Sequence, residues 1–259
     1  MDWWRGLSRR RRGLVAVVAV VVVAVAAVVA VRVASGGREG TPAQDRPGPI
    51  LLVPGYGGAR DALSTLADRL RRAGRDARVL TLPGDGTGDL NAQVRVLADA
   101  AEATGAPSVD VIGYSAGGVV ARLWVGGDGA RLVRRVVTLG SPLHGTEIAA
   151  AGGVLAPGAC PVACRQLSPG SALLDGIGDP AGVPWLSLWT EDDQTVVPPD
   201  SARLPGAVNV SLQQICPDAV VSHSQLPTDP LVTGIVLEAL DDQPLTAPAA
   251  SDCARLRAG

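Results

Sequence analysis

The sequence lacks lysine altogether, and its basic charge is concentrated at the start of the chain. Residues 1–32 hold six of the 23 basic residues and one of the 25 acidic ones, which leaves 17 basic and 24 acidic residues in the remainder. A remainder with an excess of acidic charge does not have the electrostatic footprint of a nucleic-acid-binding protein. We therefore expect no nucleic-acid partner.

Metal-ligating residues are also scarce. There are four cysteines, at positions 160, 164, 216 and 253, and two histidines. Cys160 and Cys164 have no second close pair of thiols to complete a zinc site, so the spacing disfavours zinc. The glycine-rich stretch "PGDGTGD" lacks the Gly-x-Gly-x-x-Gly spacing of a dinucleotide-binding loop. The sequence therefore indicates neither a metal nor a cofactor.

The longest apolar run covers residues 14–31 and consists almost entirely of valine and alanine, with arginines on both sides. A run of about 18 apolar residues is long enough to cross a bilayer as a helix. The arginines before it place the rest of the chain outside the cytoplasm. Two interpretations stay open: a signal anchor over residues 1–34, which binds the membrane through residues 14–31, and a signal peptide cleaved near Ala34 or Ser35, which releases a secreted protein.

Export to an oxidising compartment predicts that the four cysteines form two disulfides. Three pairings are possible. We favour the local pair Cys160–Cys164 together with Cys216–Cys253, which would tie the C-terminal tail to the chain shortly before His223.

Residues 35–48 are rich in glycine, proline and polar residues and predict a flexible linker. Residues 49–259 follow as one domain, which we expect to be a monomer. Here short β-branched runs alternate with segments of helical period, which predicts an α/β fold with a mostly parallel sheet and helices on both faces. Residues 145–184 interrupt this alternation and predict a small cap or insertion. The predicted strands are "PILLVPG", "ARVLTLPG", "VDVIG", "RRVVTLGSP", "PWLSLWT" and "AVNVSL".

The stretch "VDVIGYSAGGVVARLW", residues 109–124, places Ser115 between a predicted strand and a predicted helix. On such a strand–turn–helix elbow a serine hydroxyl is exposed as a nucleophile, and Gly113 and Gly117 let neighbouring segments approach closely. A glycine turn that only joins strand to helix does not need a serine. The position therefore favours Ser115 as a nucleophile.

A serine nucleophile requires a base, and the chain offers only two histidines. His223 follows the last predicted strand, where a hydrolase with this elbow places its base. His144 lies upstream of the acidic candidates, and we interpret it as a loop residue near the site. The third member must be a carboxylate that orients the imidazole. "TEDDQTVVPP" offers Asp193, our first choice, with Asp192 as the alternative.

Negative charge on the substrate oxygen requires hydrogen-bond donors. We expect the N–H of Ala116, directly after the nucleophile, and a second N–H from the loop "PGYGG" after the first strand, with Tyr56 as the favoured donor.

Five motifs in this order, "LLVPGYGG", "VIGYSAGG", "TLGSPLHGT", "TEDDQTVVPP" and "SHSQLP", resemble secreted bacterial triacylglycerol lipases and esterases of the α/β-hydrolase superfamily. The resemblance covers about residues 49–240. It implies the α/β-hydrolase fold, Ser115, Asp193 and His223 as the triad, and Tyr56 and Ala116 as the oxyanion hole. Pro54 departs from it, since many such lipases carry a histidine there, and so does the cysteine-bearing insertion, which bears on acyl-chain preference.

The sequence thus predicts a serine hydrolase that cleaves carboxylic esters, either small molecules or lipids, through an acyl-enzyme intermediate. An acyltransferase or thioesterase with the same triad is the alternative within enzymes. A non-catalytic binding module on the same fold would predict a broken triad, whereas every required residue type is present.

Overall fold

A computed structural model describes residue 18, residues 20–23, 42–178 and 180, and residues 182–258. The chain divides into two compact units, Met1–Gly40 and Thr41–Gly259. Most of the predicted anchor, residues 14–31, lies outside the described residues. Val18 and residues 20–23 are helical and exposed. Within the described part of the chain, no helix is long and apolar enough to span a membrane.

The second unit is built on a six-stranded sheet in which every pair of neighbouring strands is parallel. Its spatial order is β2-β1-β3-β4-β5-β6. All six predicted strands are present, and the predicted α/β fold with a mostly parallel sheet is confirmed. The strands are β1 (Ile50–Val53), β2 (Ala77–Val79), β3 (Val109–Tyr114), β4 (Val133–Leu139), β5 (Trp185–Trp189) and β6 (Val208–Ser211).

Helices cover both faces of the sheet because alternate strand residues are apolar on both sides. Ile50 and Leu52 of β1 pack with α1 (Asp61–Arg72) and α8 (Pro230–Ala239) on one face. Leu51 and Val53 pack with α2 (Leu90–Ala103) and α3 (Ala116–Gly126) on the other. The two apolar cores hold the sheet rigid between them. Two shorter helices, α7 (Leu212–Ile215) and α9 (Cys253–Arg257), lie towards the C-terminus.

The predicted insertion contains three short helices, α4 (Glu147–Leu155), α5 (Val162–Gln166) and α6 (Ala172–Asp175). Disulfides join Cys160 to Cys164 and Cys216 to Cys253, so both favoured pairings are confirmed. The second disulfide joins the residue after α7 to the first residue of α9. The C-terminal segment therefore packs against the domain instead of extending from it.

Strand β4 contains an irregularity at its start. Val109 of β3 is paired with Val133, but the next residue, Asp110, is paired with Arg135, so Arg134 is an extra residue in the ladder. Such a bulge changes which side of the sheet the following side chains face. Val133 accordingly packs with Val136 on the α2–α3 face, while Val137 packs on the α1–α8 face.

A buried group that we name the amino-end arginine cluster lies at this bulge; it comprises Asp110 with Arg75, Arg134 and Arg135. Arg134 bonds both oxygens of the Asp110 carboxylate, at 2.8 and 2.7 Å, and Arg75 lies 2.9 Å from one of them. The three arginines also donate to main-chain carbonyls at the end of α8, where the helix dipole favours positive charge. Burial lowers the pKa of Arg135.

The last residues of the predicted linker are joined to this cluster. Arg134 donates to the carbonyl oxygen of Gln44 over 2.8 Å, and the Gln44 side chain returns a hydrogen bond to the carbonyl of Arg134 over 3.1 Å. The chain is therefore fixed to the sheet before β1 begins.

Candidate active site

The candidate nucleophile lies on strained backbone. Ser115 has φ 53° and ψ −126°, and it is the one non-glycine residue with positive φ among those that the structure describes. It lies between β3 and α3, as the motif predicts. A Cβ at Gly113 would lie 2.5 Å from Cα of Gly118, and one at Gly117 would overlap the carbonyl oxygen of Val53. The flanking glycines are therefore required for the elbow to pack, and the strain at Ser115 is typical of a functional position.

The candidate acid and base meet across the ends of two strands. Nδ1 of His223 lies 2.6 Å from Oδ2 of Asp193, and both side chains are largely buried. The other oxygen of Asp193 accepts the backbone N–H groups of Thr195 and Val196, each at 2.8 Å. These two bonds hold the carboxylate in one orientation. An Asp carboxylate that accepts Nδ1–H fixes the imidazole tautomer that leaves Nε2 without a proton.

The alternative acid, Asp192, and the alternative base, His144, lie apart from the His223–Asp193 pair. One carboxylate oxygen of Asp192 lies 3.2 Å from Nε2 of Gln213 and 3.4 Å from the amide of Val221. His144 is exposed in the loop after β4, and its own amide donates to the carbonyl of Ser201. The structure thus pairs His223 with Asp193 and places Asp192 and His144 elsewhere.

The loop after β1 passes beside the nucleophile. A Cβ at Gly55 would lie 3.0 Å from Cβ of Ser115, so the backbone approaches as closely as a glycine allows. Tyr56 follows it and is 43% exposed. On the other side, Ala116 is the first residue of α3, and N–H groups in the first helical turn have no acceptor within the helix. Both predicted oxyanion donors therefore lie next to Ser115 in the chain or in space.

Ser115 and Tyr56 line the same cavity, which has a volume of about 180 Å³. Its other walls come from the loop after β4, from α4 and α5 of the insertion, and from the loop that follows Asp193. The lining is mainly apolar, and its remaining members are Pro142, Thr146, Ile148, Ala149, Cys164, Leu167, Thr195 and Val196. The arrangement brings a hydroxyl to one end of a small apolar space.

The sequence analysis missed Tyr114, the residue before the nucleophile. Its ring lies against the imidazole of His223, with 5.1 Å between ring centroids, and its hydroxyl donates to the main-chain oxygen of His223 over 3.2 Å. Burial, and then the charge of Asp193, raise the pKa of Tyr114 to about 12. The hydroxyl therefore stays protonated and remains a donor. No local sequence signal connects residues 114 and 223, since only the fold brings them together.

Among the described residues, no group of three or more His, Cys, Asp or Glu side chains is arranged to hold a metal ion.

Comparisons with known proteins agree with this fold. The family model for lipase (class 2) matches residues 89–171, which include the elbow and the larger part of the insertion. A search of curated proteins finds no match. The resemblance to lipases of the α/β-hydrolase superfamily that the motifs predict is confirmed by the family match and by the solved structures that share the fold.

The solved structure of Aspergillus fumigatus lipase B is similar with a TM-score of 0.63 and 22% identity over 77% of this chain. The match spans 54% of that protein, so this chain corresponds to about half of its length. The mature form of Bacillus licheniformis lipase BlEst2 gives a TM-score of 0.62 and 20% identity, covering 79% of this chain and 95% of that one. A bromoperoxidase from Bacillus anthracis is also similar, with a TM-score of 0.52, 14% identity and coverage of 75% and 92%. At these identities the likeness establishes the fold, which many chemistries share.

Proposed function

We propose that this chain, a lipase/esterase-type α/β hydrolase, cleaves carboxylic esters of lipids or other acyl compounds through a triad of Ser115, His223 and Asp193. One observation carries the proposal: the 2.6 Å contact between Nδ1 of His223 and Oδ2 of Asp193, formed beside the strained elbow that presents Ser115. A buried carboxylate that is held by two amides and faces an imidazole serves to orient a base, and Tyr114, the residue before Ser115, packs against the same imidazole.

In the first step Nε2 of His223 takes the proton of the Ser115 hydroxyl as Oγ forms a bond to the ester carbonyl carbon. Asp193 stabilises the resulting imidazolium without taking its proton. Charge accumulates on the former carbonyl oxygen, where the amides of Ala116 and Tyr56 donate to it. Each such donor contributes about 2.7–4 kcal/mol in the transition state.

The intermediate then breaks its bond to the alcohol oxygen, which leaves with the proton held by His223. This step gives an acyl-enzyme on Ser115. In the second half of the reaction His223 takes a proton from water, the water oxygen attacks the acyl carbon, and Ser115 recovers its proton as the carboxylic acid leaves.

We propose an extracytoplasmic location for this activity. Two disulfides and the apolar segment at residues 14–31 support it, because disulfides persist in oxidising compartments. Mass analysis of protein extracted from membranes and from the medium distinguishes an intact anchor from a chain cleaved near Ala34 or Ser35. Recovery of only cytoplasmic protein with reduced cysteines would contradict the proposal.

The triad is tested with p-nitrophenyl esters and three alanine variants. Ser115→Ala and His223→Ala should each lower kcat by about 10⁵–10⁶-fold, because the members of a triad act as a unit. His144→Ala is the matched control and should keep most of the parent activity. Retention of parental activity by Ser115→Ala would exclude Ser115 as nucleophile, and loss with His144→Ala alone would overturn the choice of base.

A further inference from the structure

We infer that the insertion makes this enzyme selective for short acyl groups, with Leu167 and Ala149 setting the limit. The inference rests on the proposed function, since it names the class of ester that the Ser115 site accepts. Its basis is the cavity beside Ser115, which is apolar, small and lined by residues held in place by hydrogen bonds and a disulfide.

The size of the cavity is the first argument. Sites for drug-sized ligands occupy roughly 300–1,000 Å³, whereas the space that begins at Ser115 has a volume of about 180 Å³. A short acyl chain fits this space, while the far end of a long chain would remain in solvent. The lining side chains are mainly apolar, which suits a hydrocarbon group and not a polar acid.

The rigidity of the walls is the second argument, because a flexible wall would open for a longer chain. Thr146 anchors α4 to the loop that carries Asp193: its hydroxyl donates to the Thr195 carbonyl and accepts the Val197 amide, both at 3.0 Å. The amide of Thr146 also donates to the carbonyl of Leu167 over 2.9 Å. The rim near the catalytic acid and the wall at Leu167 are thus one connected structure.

Helix α5 is held from its other side as well. Gln166 donates to the Asp89 carboxylate over 2.7 Å and accepts the amide of Leu90 over 2.9 Å, so the start of α2 fixes the end of α5. The disulfide to Cys160 constrains Cys164, whose sulfur lies at the cavity wall 3.8 Å from the carbonyl of Ala149. Leu167 is 5% exposed and Ala149 8%. Their side chains therefore bound the cavity instead of lying at its mouth.

The test is a panel of p-nitrophenyl esters from acetate to palmitate, measured as kcat/KM for the parent and two opposed variants. For the parent we expect a maximum at butyrate to octanoate and at least a 10-fold lower value for palmitate. Leu167→Ala enlarges the cavity and should raise the palmitate-to-butyrate ratio by about 10-fold. Ala149→Leu fills it and should lower octanoate hydrolysis by at least 10-fold while acetate hydrolysis is largely retained.

Leu174→Ala is the matched control, because Leu174 is a buried leucine of the same insertion that does not line the cavity. It should keep the parental chain-length profile. A parental maximum at laurate or palmitate, or identical chain-length profiles for Leu167→Ala and Leu174→Ala, would overturn the inference. If the hydrolysis still depended on Ser115, the proposed function would stand. Absence of Ser115-dependent hydrolysis for every ester would instead refute the proposed function.

A separate observation carries a second inference: we propose that Tyr114 is a positioning residue for His223. Its ring packs on the imidazole and its hydroxyl holds the main-chain oxygen of the same residue. His223 begins a short 3₁₀ helix, His223–Thr228, and Asp193 contacts it through the ring alone. Tyr114 therefore holds both the backbone of His223 and one face of its imidazole. It acts through His223 and does not contact the substrate.

The hydroxyl is tested by Tyr114→Phe, which keeps the ring. We expect kcat to fall about 3- to 10-fold with KM nearly unchanged, as expected for the loss of one hydrogen bond that orients the base. In a His223→Ala background the same substitution should have no further effect on the residual rate, because the group that it positions is absent. An equal loss in both backgrounds, or a loss confined to KM, would show that Tyr114 has only a structural role.

Discussion

The two ends of the parallel sheet differ in what their polar residues do. At the carboxyl end, Ser115, Asp193 and His223 follow three different strands, and Ser115 lines a small apolar cavity. At the amino end, the amino-end arginine cluster is largely buried: Asp110 is paired with Arg75 and Arg134, and the arginines also donate to main-chain carbonyls. At the first end a serine hydroxyl lines a cavity, whereas the polar groups at the second end are bonded to other groups of the protein.

This difference teaches that burial of charge has two separate uses in one fold. The ends of parallel strands leave loops free to vary on a rigid scaffold, which suits catalysis. The cluster at the opposite end joins residues far apart in the chain and satisfies the last carbonyls of α8. Substitutions at the carboxyl end should therefore reduce turnover with little change in stability, and those at the amino end should do the reverse.

The largest effect is expected at the carboxyl end. Asp193→Asn should lower kcat by about 10⁴-fold, because an amide no longer holds the imidazole in the productive tautomer. Thermal unfolding should change little. Steady-state hydrolysis of p-nitrophenyl butyrate measures the effect, and Asp192→Asn, the neighbouring carboxylate, should retain near-parental kcat. A larger loss in Asp192→Asn would assign the role of the acid to Asp192.

The next effect is expected at the amino end and in stability alone. Asp110→Asn leaves the fully buried Arg134 without its carboxylate and should lower the free energy of unfolding by about 3–5 kcal/mol. Urea unfolding measures it. Asp128→Asn breaks an exposed pair with Arg131 and should change stability by less than about 1 kcal/mol. If Asp110→Asn gave a folded protein with greatly reduced kcat, the assignment of stability to the amino end and turnover to the carboxyl end would be contradicted.

The disulfides sharpen the comparison, because one borders the cavity and the other lies behind α8. In the chain-entropy model, replacing Cys216 and Cys253 with serine should lower the free energy of unfolding by about 4 kcal/mol. Replacing Cys160 and Cys164 should lower it by about 2 kcal/mol, because the loop that this disulfide closes is much shorter. Thermal unfolding of both double variants gives the order. Equal losses would show that loop closure does not govern their contributions.

The smallest effect concerns the start of α2, at the cavity end. The Asp89 carboxylate accepts the Asn91 amide as an N-cap, and the hydrogen bond from Gln166, followed by that amide, lowers the pKa of Asp89. Its stabilising contribution is therefore complete above the ordinary aspartate pKa of about 4 and is lost as pH falls through the lowered folded value. Asp89→Ala should cost about 1 kcal/mol at pH 7, and the difference from the parent should narrow at pH 3. A constant difference between pH 7 and pH 3 would contradict this linkage.

The sequence predicts the carboxyl end far better than the amino end. The elbow around Ser115 is a local pattern, since strand, glycines and helix lie within sixteen residues of one another. The choice of His223 as the candidate base starts from there being only two histidines. By contrast, nothing in the strand pattern "RRVVTLGSP" indicates that Arg134 and Arg135 are buried. Their partners, Asp110 and the carbonyls at the end of α8, are brought to them only by the closed fold.

The helices of the insertion also escaped prediction as individual elements. Their sequence is rich in glycine, alanine and proline and has no clear period, so it predicts a small cap or insertion and assigns no helices within it. Such short helices have little stability from intrinsic helix propensity. Instead, α4 and α5 are stabilised by contacts with α2 and with the loop after β5.

The bulge at Arg134 determines which side of the sheet the later residues of β4 face, as well as where a charged side chain lies. Because one extra residue separates Val133 from the rest of the strand, Val137 and Leu139 face α1 and α8 instead of α2 and α3. If the same residues continued in unbroken alternation without the bulge, everything after Arg134 would face the opposite side of the sheet. Gly140, whose missing side chain makes room for the pair of His223 and Asp193, would turn with it. A single position at the amino end thus determines on which side of the sheet Gly140 lies, beside His223 and Asp193 at the other end.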